Sequence, residues 1–493
     1  MPEANPSTSC DSGLQPPNAG HSTSRLRPVT SNQTAESRMP FQRLITVLLH
    51  LVIAGLLVAG PPSVSAETVP KPNIVFILAD DLGYGDLECY GHPRAKTPVI
   101  NQLAKDGVRF TQHYSNGTEC SPTRTAFLTG RYQQRVKGLE CAIGTGNVGR
   151  YDDAIEAAKA NNLGLPASST VIPGQLKRQG YTCAVYGKWH LGYESRFNPM
   201  VHGWDRFFGY LGGNVHYFNH RETSDLHVLY SGDQPADRDG YMTDLITNDS
   251  VAFIREQAGA DKPFFLYVSH ECPHFPFQGP KDREKIVTKE NWMEADDETY
   301  VAMLQDLDTQ VGRILTALDD CGITDNTVVV FASDNGGFAA AAHMGGLRGA
   351  KSTTYEGGIR VPLIIRWPGK IKSGIESHQP CMTFDLTRSF LEIAGVKLQG
   401  LRLDGDGIIQ HIVKENNDYR RTLFWRGKRG DRTWTAVRDG DAKLVRKEEG
   451  SQTEEWLFDL KNDPTEQGGL DSDRDRIRLQ AKLKAWETEM DGE

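Results

Sequence analysis

Asn73-Ile74-Val75-Phe76-Ile77-Leu78 is a short apolar run that gives way at once to Asp80-Asp81-Leu82-Gly83. The same pattern returns along the chain. Tyr181-Thr182-Cys183-Ala184-Val185-Tyr186 leads into Gly187-Lys188-Trp189-His190-Leu191-Gly192. Pro263-Phe264-Phe265-Leu266-Tyr267-Val268 leads into Ser269-His270 and then Pro273-His274. Thr327-Val328-Val329-Val330-Phe331 leads into Ser333-Asp334-Asn335-Gly336-Gly337. Continuous apolar runs suit strands covered on both faces. Helical stretches lie between them, at 97–107, 171–179, 244–258 and 296–318. The alternation predicts a large α/β/α sandwich on a mostly parallel central sheet. Ligands bind such sheets beyond the carboxyl ends of the strands, so all four polar clusters are expected at one edge.

After about Gly395 the texture changes. Leu423-Phe424-Trp425, Trp434-Thr435-Ala436-Val437-Arg438, Lys443-Leu444-Val445-Arg446 and Trp456-Leu457-Phe458-Asp459-Leu460 are short strand-like runs separated by turn residues such as Asp439-Gly440-Asp441. They predict a small antiparallel sheet, closed by a helix over 474–490. At the other end, residues 1–38 are rich in Ser, Pro, Asn and Thr and read as a disordered or untranslated extension. Arg38 and Arg43, an apolar run over 44–60, and Ser63-Val64-Ser65-Ala66 make 39–66 a signal peptide. The run is too short for a stable membrane span. The expected division is 1–38 extension, 39–66 signal peptide, 67–395 catalytic domain and 396–493 C-terminal subdomain, with the product secreted or periplasmic.

The net charge of −9 over 493 residues argues against nucleic acid as a partner, which needs basic surface. The eight cysteines form no C-x-x-C pair, so a zinc site is disfavoured, and they are too sparse for a disulfide scaffold. One or two bridges remain open.

Cys120-Ser121-Pro122-Thr123-Arg124 reads as a loop turning into a helix that Gly130 ends. Cys120 is expected just before the helix N-terminus, with a lowered pKa and a reactive sulfur, and Arg124 adds charge one turn on. Asp80, Asp81, Asp334 and Asn335 are hard oxygen donors. Either pair alone is ordinary turn chemistry, but three carboxylates converging at one edge would repel unless a cation such as Ca²⁺ or Mg²⁺ joined them.

Cys120-x-Pro122-x-Arg124 with the tail Thr129-Gly130-Arg131 resembles the signature of the type I sulfatases, of the alkaline phosphatase superfamily. So do Gly187-Lys188-Trp189-His190, Glu356-Gly357-Gly358-Ile359-Arg360-Val361-Pro362, and the late segment Leu457-Phe458-Asp459-Leu460 with Asp463-Pro464-Thr465-Glu466. The resemblance runs over roughly residues 72–466, most like the arylsulfatase A and N-acetylgalactosamine-6-sulfatase branch. It implies that Cys120 is oxidised to formylglycine (3-oxoalanine) by a formylglycine-generating enzyme. It implies one calcium ion held by Asp80, Asp81, Asp334, Asn335 and the modified Cys120. It also implies that Arg124, Lys188, His190, His274 and Lys351 serve catalysis. On this reading a hydrated aldehyde attacks sulfur through one hydroxyl and expels sulfate by re-forming the carbonyl. His190 assists that elimination, and His274 with Lys351 protonates the leaving oxygen.

The expected reaction is hydrolysis of sulfate esters, of a sulfated carbohydrate by nature and of aryl sulfates as surrogates. Two other readings stay open: a phosphonate or phosphate ester hydrolase of the same superfamily, and a non-catalytic sulfoglycan-binding protein. Segments 140–165 and 193–240 are expected near the mouth of the site. Trp204, Phe207, Phe208, Tyr210, Tyr217 and Phe218 either stack on a sugar there or pack in the core, the ordinary place for aromatics.

Overall fold

A computed structural model describes residues 70–414 and 420–492. The expected extension and signal peptide, 1–38 and 39–66, lie outside the described residues. Among the described residues no helix is long and apolar enough to cross a membrane.

The four apolar runs form four adjacent strands. Asn73–Ala79 pairs in parallel with Thr327–Ser333 on one side and with Phe264–Ser269 on the other. Thr182–Lys188 pairs in parallel with Phe264–Ser269, and Arg206–Tyr210 continues the parallel run. These strands are the middle of a ten-stranded sheet, with Leu363–Arg366 antiparallel beside Thr327–Ser333. The strands extend into the polar clusters: Lys188 and Ser333 are the last residues of theirs. Buried backbone N–H and C=O groups need partners whatever side chain they carry, and the neighbouring strand supplies them.

Side chains alternate across a strand, so Asn73–Ala79 feeds two cores. Val75 and Ile77 join the layer of Met242–Ala258 and Asp297–Asp320. Ile74, Phe76 and Leu78 join the layer of Cys120–Thr129 and Thr383–Ile393. Fully burying one such side chain is worth roughly 1.5–3 kcal/mol, which fixes the strand from both faces.

The C-terminal residues form a four-stranded antiparallel meander, Thr422–Arg429, Arg432–Asp439, Ala442–Glu449 and Gln452–Asp459. The helix Asp473–Asp491 packs on it through Leu479, Leu483 and Trp486. This third core takes in Tyr114, Ala126, Tyr355 and Ile359 from the large sheet's side. The helix Cys120–Thr129 is therefore gripped twice, by Phe127 in one core and Ala126 in another, and every residue of it is buried.

The seven described cysteines are all free. Trp204, Phe207, Phe208, Tyr210 and Tyr217 are buried in the two large cores, and Phe218 packs half-buried against one of them. The aromatic run is core.

Candidate active site

The parallel register sets Ala79 beside Ser333. The residues that follow, Asp80-Asp81 and Asp334-Asn335, therefore emerge side by side. The Asp81 N–H donates to Asp334 Oδ1 at 3.1 Å, and Asn335 Nδ2 donates to Asp81 Oδ1 at 2.7 Å. All four are buried. Lys188, at the end of its strand, reaches Asp80 Oδ2 at 2.5 Å.

Cys120 closes this group. It is the first helical residue, with Glu119 as the N-cap, rather than a loop residue ahead of the helix. Its Sγ lies 3.3 Å from Asp80 Oδ1, 3.2 Å from Lys188 Nζ and 3.6 Å from Lys351 Nζ. The expected low pKa is not what this setting gives. Burial, then the Asp334 and Asp80 carboxylates, push the Cys120 thiol well up, against the pull of Lys188 and Lys351. A helix N-terminus contributes about half a charge, and neighbouring carboxylates with desolvation outweigh it.

Arg124 donates through Nε and Nη2 to Asp334 Oδ2, at 3.0 and 2.8 Å, and through Nη1 to Ser269 Oγ and the Lys188 carbonyl. Its donors face the floor of the site, where it clamps Asp334 and the ends of the strands together. Lys351 donates to Asp81 Oδ2 at 2.7 Å and approaches His274 Nε2 at 3.2 Å. Burial works against its charge, but Asp81, Cys120 and Asp80 hold its pKa above the ordinary lysine value. His274 Nδ1 lies 2.7 Å from the Phe275 carbonyl, which accepts, so Nδ1 carries the proton and Nε2 is the acceptor. Burial, Lys351 and Lys188 keep His274 neutral, well below the usual histidine value. His190 takes a left-handed φ of 56° and donates from Nε2 to the Ile143 carbonyl at 2.7 Å. Its Nδ1 is buried without a partner among the described residues.

One ligand atom each from Asp80, Asp81, Cys120 and His274 lies within 4.8 Å of the others. Asn335 Oδ1, also buried, has no hydrogen-bond partner among the described residues. Burial, then Asp334 and Asp81, raise the Asp80 carboxyl against the pull of Lys188 and Arg124. Crowded carboxylates and an orphaned amide oxygen are a hard-cation donor set. Asp334 stands outside the close group: its Oδ2 accepts both Arg124 donors, while its Oδ1 accepts the Asp81 N–H and keeps a second lone pair. His274, read from sequence as a proton donor, stands inside it.

Cys120, His190, His274 and Lys351 form the floor of a cleft of about 590 Å³. The Lys351 loop is seated by backbone contact: the Gly357 N–H donates to the Arg348 carbonyl at 2.7 Å, and the Lys351 N–H to the Gly337 carbonyl at 3.0 Å. A Cβ on Gly357 would lie 2.3 Å from the Gly349 carbonyl oxygen, so Glu356-Gly357-Gly358 admits no side chain there.

Residues 72–396 match the Sulfatase family model, and residues 350–491 match the model for the C-terminal part of N-sulphoglucosamine sulphohydrolase. The chain belongs to the sulfatase family. N-acetylgalactosamine-6-sulfatase of Mus musculus is 33% identical over 405 residues, 77% of this chain and 72% of that protein. Arylsulfatase A of Homo sapiens is 33% identical over 408 residues, 77% and 73%. The crystal structure of Ps i-CgsB in complex with k-i-k-neocarrahexaose superposes with a TM-score of 0.73 at 27% identity, covering 84% of this chain and 92% of that one. The phosphonate monoester hydrolase of Agrobacterium radiobacter, at 21% identity and a TM-score of 0.59, shares the fold.

The walls of the sulfatase cleft include Ile143 and Asn214, from the two segments expected near its mouth, and also Lys289, Trp292, Arg429 and Arg432, which no motif marked. Those four arrive by tertiary packing, from the loop before Asp297–Asp320 and from the tip of a C-terminal hairpin. Spacing in sequence carries no signal for them.

Glu222 was also unmarked. Its Oε1 accepts from Tyr193 Oη at 2.5 Å and from the Gly213 N–H at 3.0 Å. Gly213 lies so close to His190 that a Cβ would sit 2.6 Å from Nε2. Burial pushes Glu222 from 4.5 up to about 7. Its contribution to stability is therefore complete below about 4.5 and lost as pH rises through about 7. Glu222→Gln, which cannot ionise, should melt no higher than the wild type at pH 4.5. At pH 8 it should gain up to roughly 3 kcal/mol. A difference in melting temperature that stays constant between those pH values would refute the raised pKa.

Proposed function

We propose that this sulfatase cleaves sulfate esters of a sulfated carbohydrate, with Cys120 oxidised to formylglycine and a calcium ion beside it. The observation that carries the reading is the placement of Cys120 Sγ between Asp80, Lys188 and Lys351 on the floor of the cleft. The relatives support the sugar: one is named for N-acetylgalactosamine 6-sulfate, and Ps i-CgsB was solved with k-i-k-neocarrahexaose.

A sulfate group is a diffuse anion, and charge grows on the leaving oxygen as S–O breaks. Lys188 and Lys351 present ammonium groups to it in a buried setting, where such contacts are strongest. Lys351 and His274 share a hydrogen bond to Nε2, so this pair holds the proton for the leaving oxygen. His190 Nδ1, buried and unpartnered among the described residues, is the atom able to accept a proton from the oxidised Cys120 side chain. Arg124 keeps Asp334 and the strand ends in register rather than touching substrate. Formylglycine would supply a geminal hydroxyl pair as nucleophile and built-in route for sulfate release. Calcium, held by Asp80, Asp81, Asn335 and Asp334, would supply Lewis-acid stabilisation of charge on sulfate oxygens. The segment 39–66 supports export, secreted or periplasmic. The large family match ends at 396 and supports 67–395 as the catalytic part and 396–493 as the subdomain.

The deciding experiment pairs the mass of the Cys120 peptide, from protein made with a formylglycine-generating enzyme, with turnover of 4-nitrophenyl sulfate. An aldehyde mass with turnover is expected. Turnover by protein whose Cys120 is wholly thiol would end the proposal. Calcium should also raise the melting temperature. A ligand at a hundred times its Kd stabilises by about 2.7 kcal/mol, and Asp80→Ala should remove that gain. Equal calcium shifts in both proteins would exclude this site.

A further inference from the structure

Resting on that reading, we propose that one lip of the cleft is a second anion subsite, built by Arg150 and Arg432, that reads a further sulfate or carboxylate on the same substrate. The natural substrate is then a polyanionic oligosaccharide rather than a singly charged sugar sulfate.

The lip is assembled from two distant parts of the chain. Gly430, at the turn between Thr422–Arg429 and Arg432–Asp439, donates its N–H to the Arg150 carbonyl at 2.6 Å. That bond fastens the 144–151 loop to the hairpin tip. Arg150, Arg429 and Arg432 all line the cleft that Cys120, His190, His274 and Lys351 floor.

The charges at this lip do not cancel. Glu119 is taken by Arg429 at 3.0 Å and by Ser352 Oγ at 2.6 Å. Glu140 is taken by Arg426 at 2.6 Å, with Lys428 at 3.5 Å. Glu449 lies 4.0 Å from Arg432 but is held by Lys447 at 2.5 Å. Arg150 is exposed, and no carboxylate lies within ion-pair distance of it among the described residues. Arg429 thus neutralises Glu119, the buried acid at the N-cap position of the Cys120 helix, while the guanidinium groups of Arg150 and Arg432 remain for something outside the protein.

In a chain of net charge −9, a local cationic surplus that opens onto the reaction cleft is best satisfied by the substrate. Guanidinium forks match the geometry of sulfate and carboxylate oxygens. Lys289 adds a further cation to the cleft lining, and Trp292 an apolar surface. The cleft therefore combines an apolar patch for a sugar face with cations for its charges.

The test measures binding and turnover separately. Calorimetry on Cys120→Ala protein compares a disaccharide carrying one sulfate with the same disaccharide carrying two sulfates, or one sulfate and one uronate. About tenfold tighter binding of the doubly charged sugars is expected, about what one charge-assisted contact supplies. Adding Arg150→Gln and Arg432→Gln should erase that preference while leaving the singly charged sugar's affinity within about twofold. The two doubly charged sugars tell sulfate from carboxylate. A preference that survives both substitutions, or no preference at the outset, overturns the subsite. Turnover of 4-nitrophenyl sulfate by enzyme with Cys120 intact is the separate check. If that fails while the binding preference holds, the catalytic reading falls and the subsite stands.

Discussion

Replacing Cys120 with alanine is expected to lower sulfate-ester turnover by at least about 10³-fold, the scale seen when a covalent nucleophile is removed. The fold should survive. Cys120 is 1% exposed, and its sulfur contacts two lysines and two carboxylates rather than a packed apolar wall. The loss of stability should therefore be near the ordinary mutational value of about 1 kcal/mol. Cys120→Ser, closer in size and polarity, should match alanine in activity and the wild type in melting temperature. The measurement is kcat on 4-nitrophenyl sulfate beside thermal melts of all three proteins. An alanine variant within tenfold of the wild type would leave the nucleophile elsewhere.

The second large effect lies away from the cleft. Lys443 is fully buried between Glu356, at 2.7 Å, and Glu466, at 2.9 Å. Glu466 Oε2 accepts the Glu356 N–H at 2.6 Å, and Glu356 Oε2 accepts from Tyr114 Oη at 2.7 Å. One ammonium thus ties the small sheet to the turn that seats Lys351. Lys443→Met leaves two buried carboxylates with too little positive charge, and breaking such a pair costs about 3–5 kcal/mol. Denaturant unfolding should show that loss, and activity should fall with it as the Lys351 loop shifts. Adding Glu466→Gln should recover part of the stability, because one of the stranded charges goes with it. A single variant within about 1 kcal/mol of the wild type, on the scale of exposed pairs, would show that the cluster is not held as a charge network.

The chain shows plainly which of these layers a sequence can display. The parallel strands were readable because strands buried on both faces must be apolar throughout and must stop being so where the site begins. Asp80-Asp81, Lys188 and Asp334-Asn335 were readable for the same reason, since each follows or ends a buried strand, and Cys120 because it opens a helix that Pro122 and Gly130 mark. Glu466 could be read as part of a family-like segment, but its partner could not. Lys443 sits in an ordinary amphipathic strand, and only the docking of two sheets makes it buried. Arg150 and Arg432 are unreadable for a related reason, because only the bond from the Gly430 N–H to the Arg150 carbonyl brings the hairpin turn beside that distant loop. The Cys120 thiol departs from the low pKa a helix end suggests because that end is a local feature, while the burial that chiefly raises it, and the carboxylates that add to it, come from strands far away in the chain.

The depth of Cys120 sets a timetable. With its helix gripped by two cores and the residue only 1% exposed at the bottom of the cleft, that side chain is out of a second enzyme's reach once the sheets have closed. On the formylglycine reading, maturation has to happen on a nascent or unfolded chain, and collapse competes with it. A molecule that folds first is locked as a well-formed but inert thiol form. The yield of active protein is then decided by a race during biosynthesis, and two preparations with identical melting curves can differ widely in specific activity.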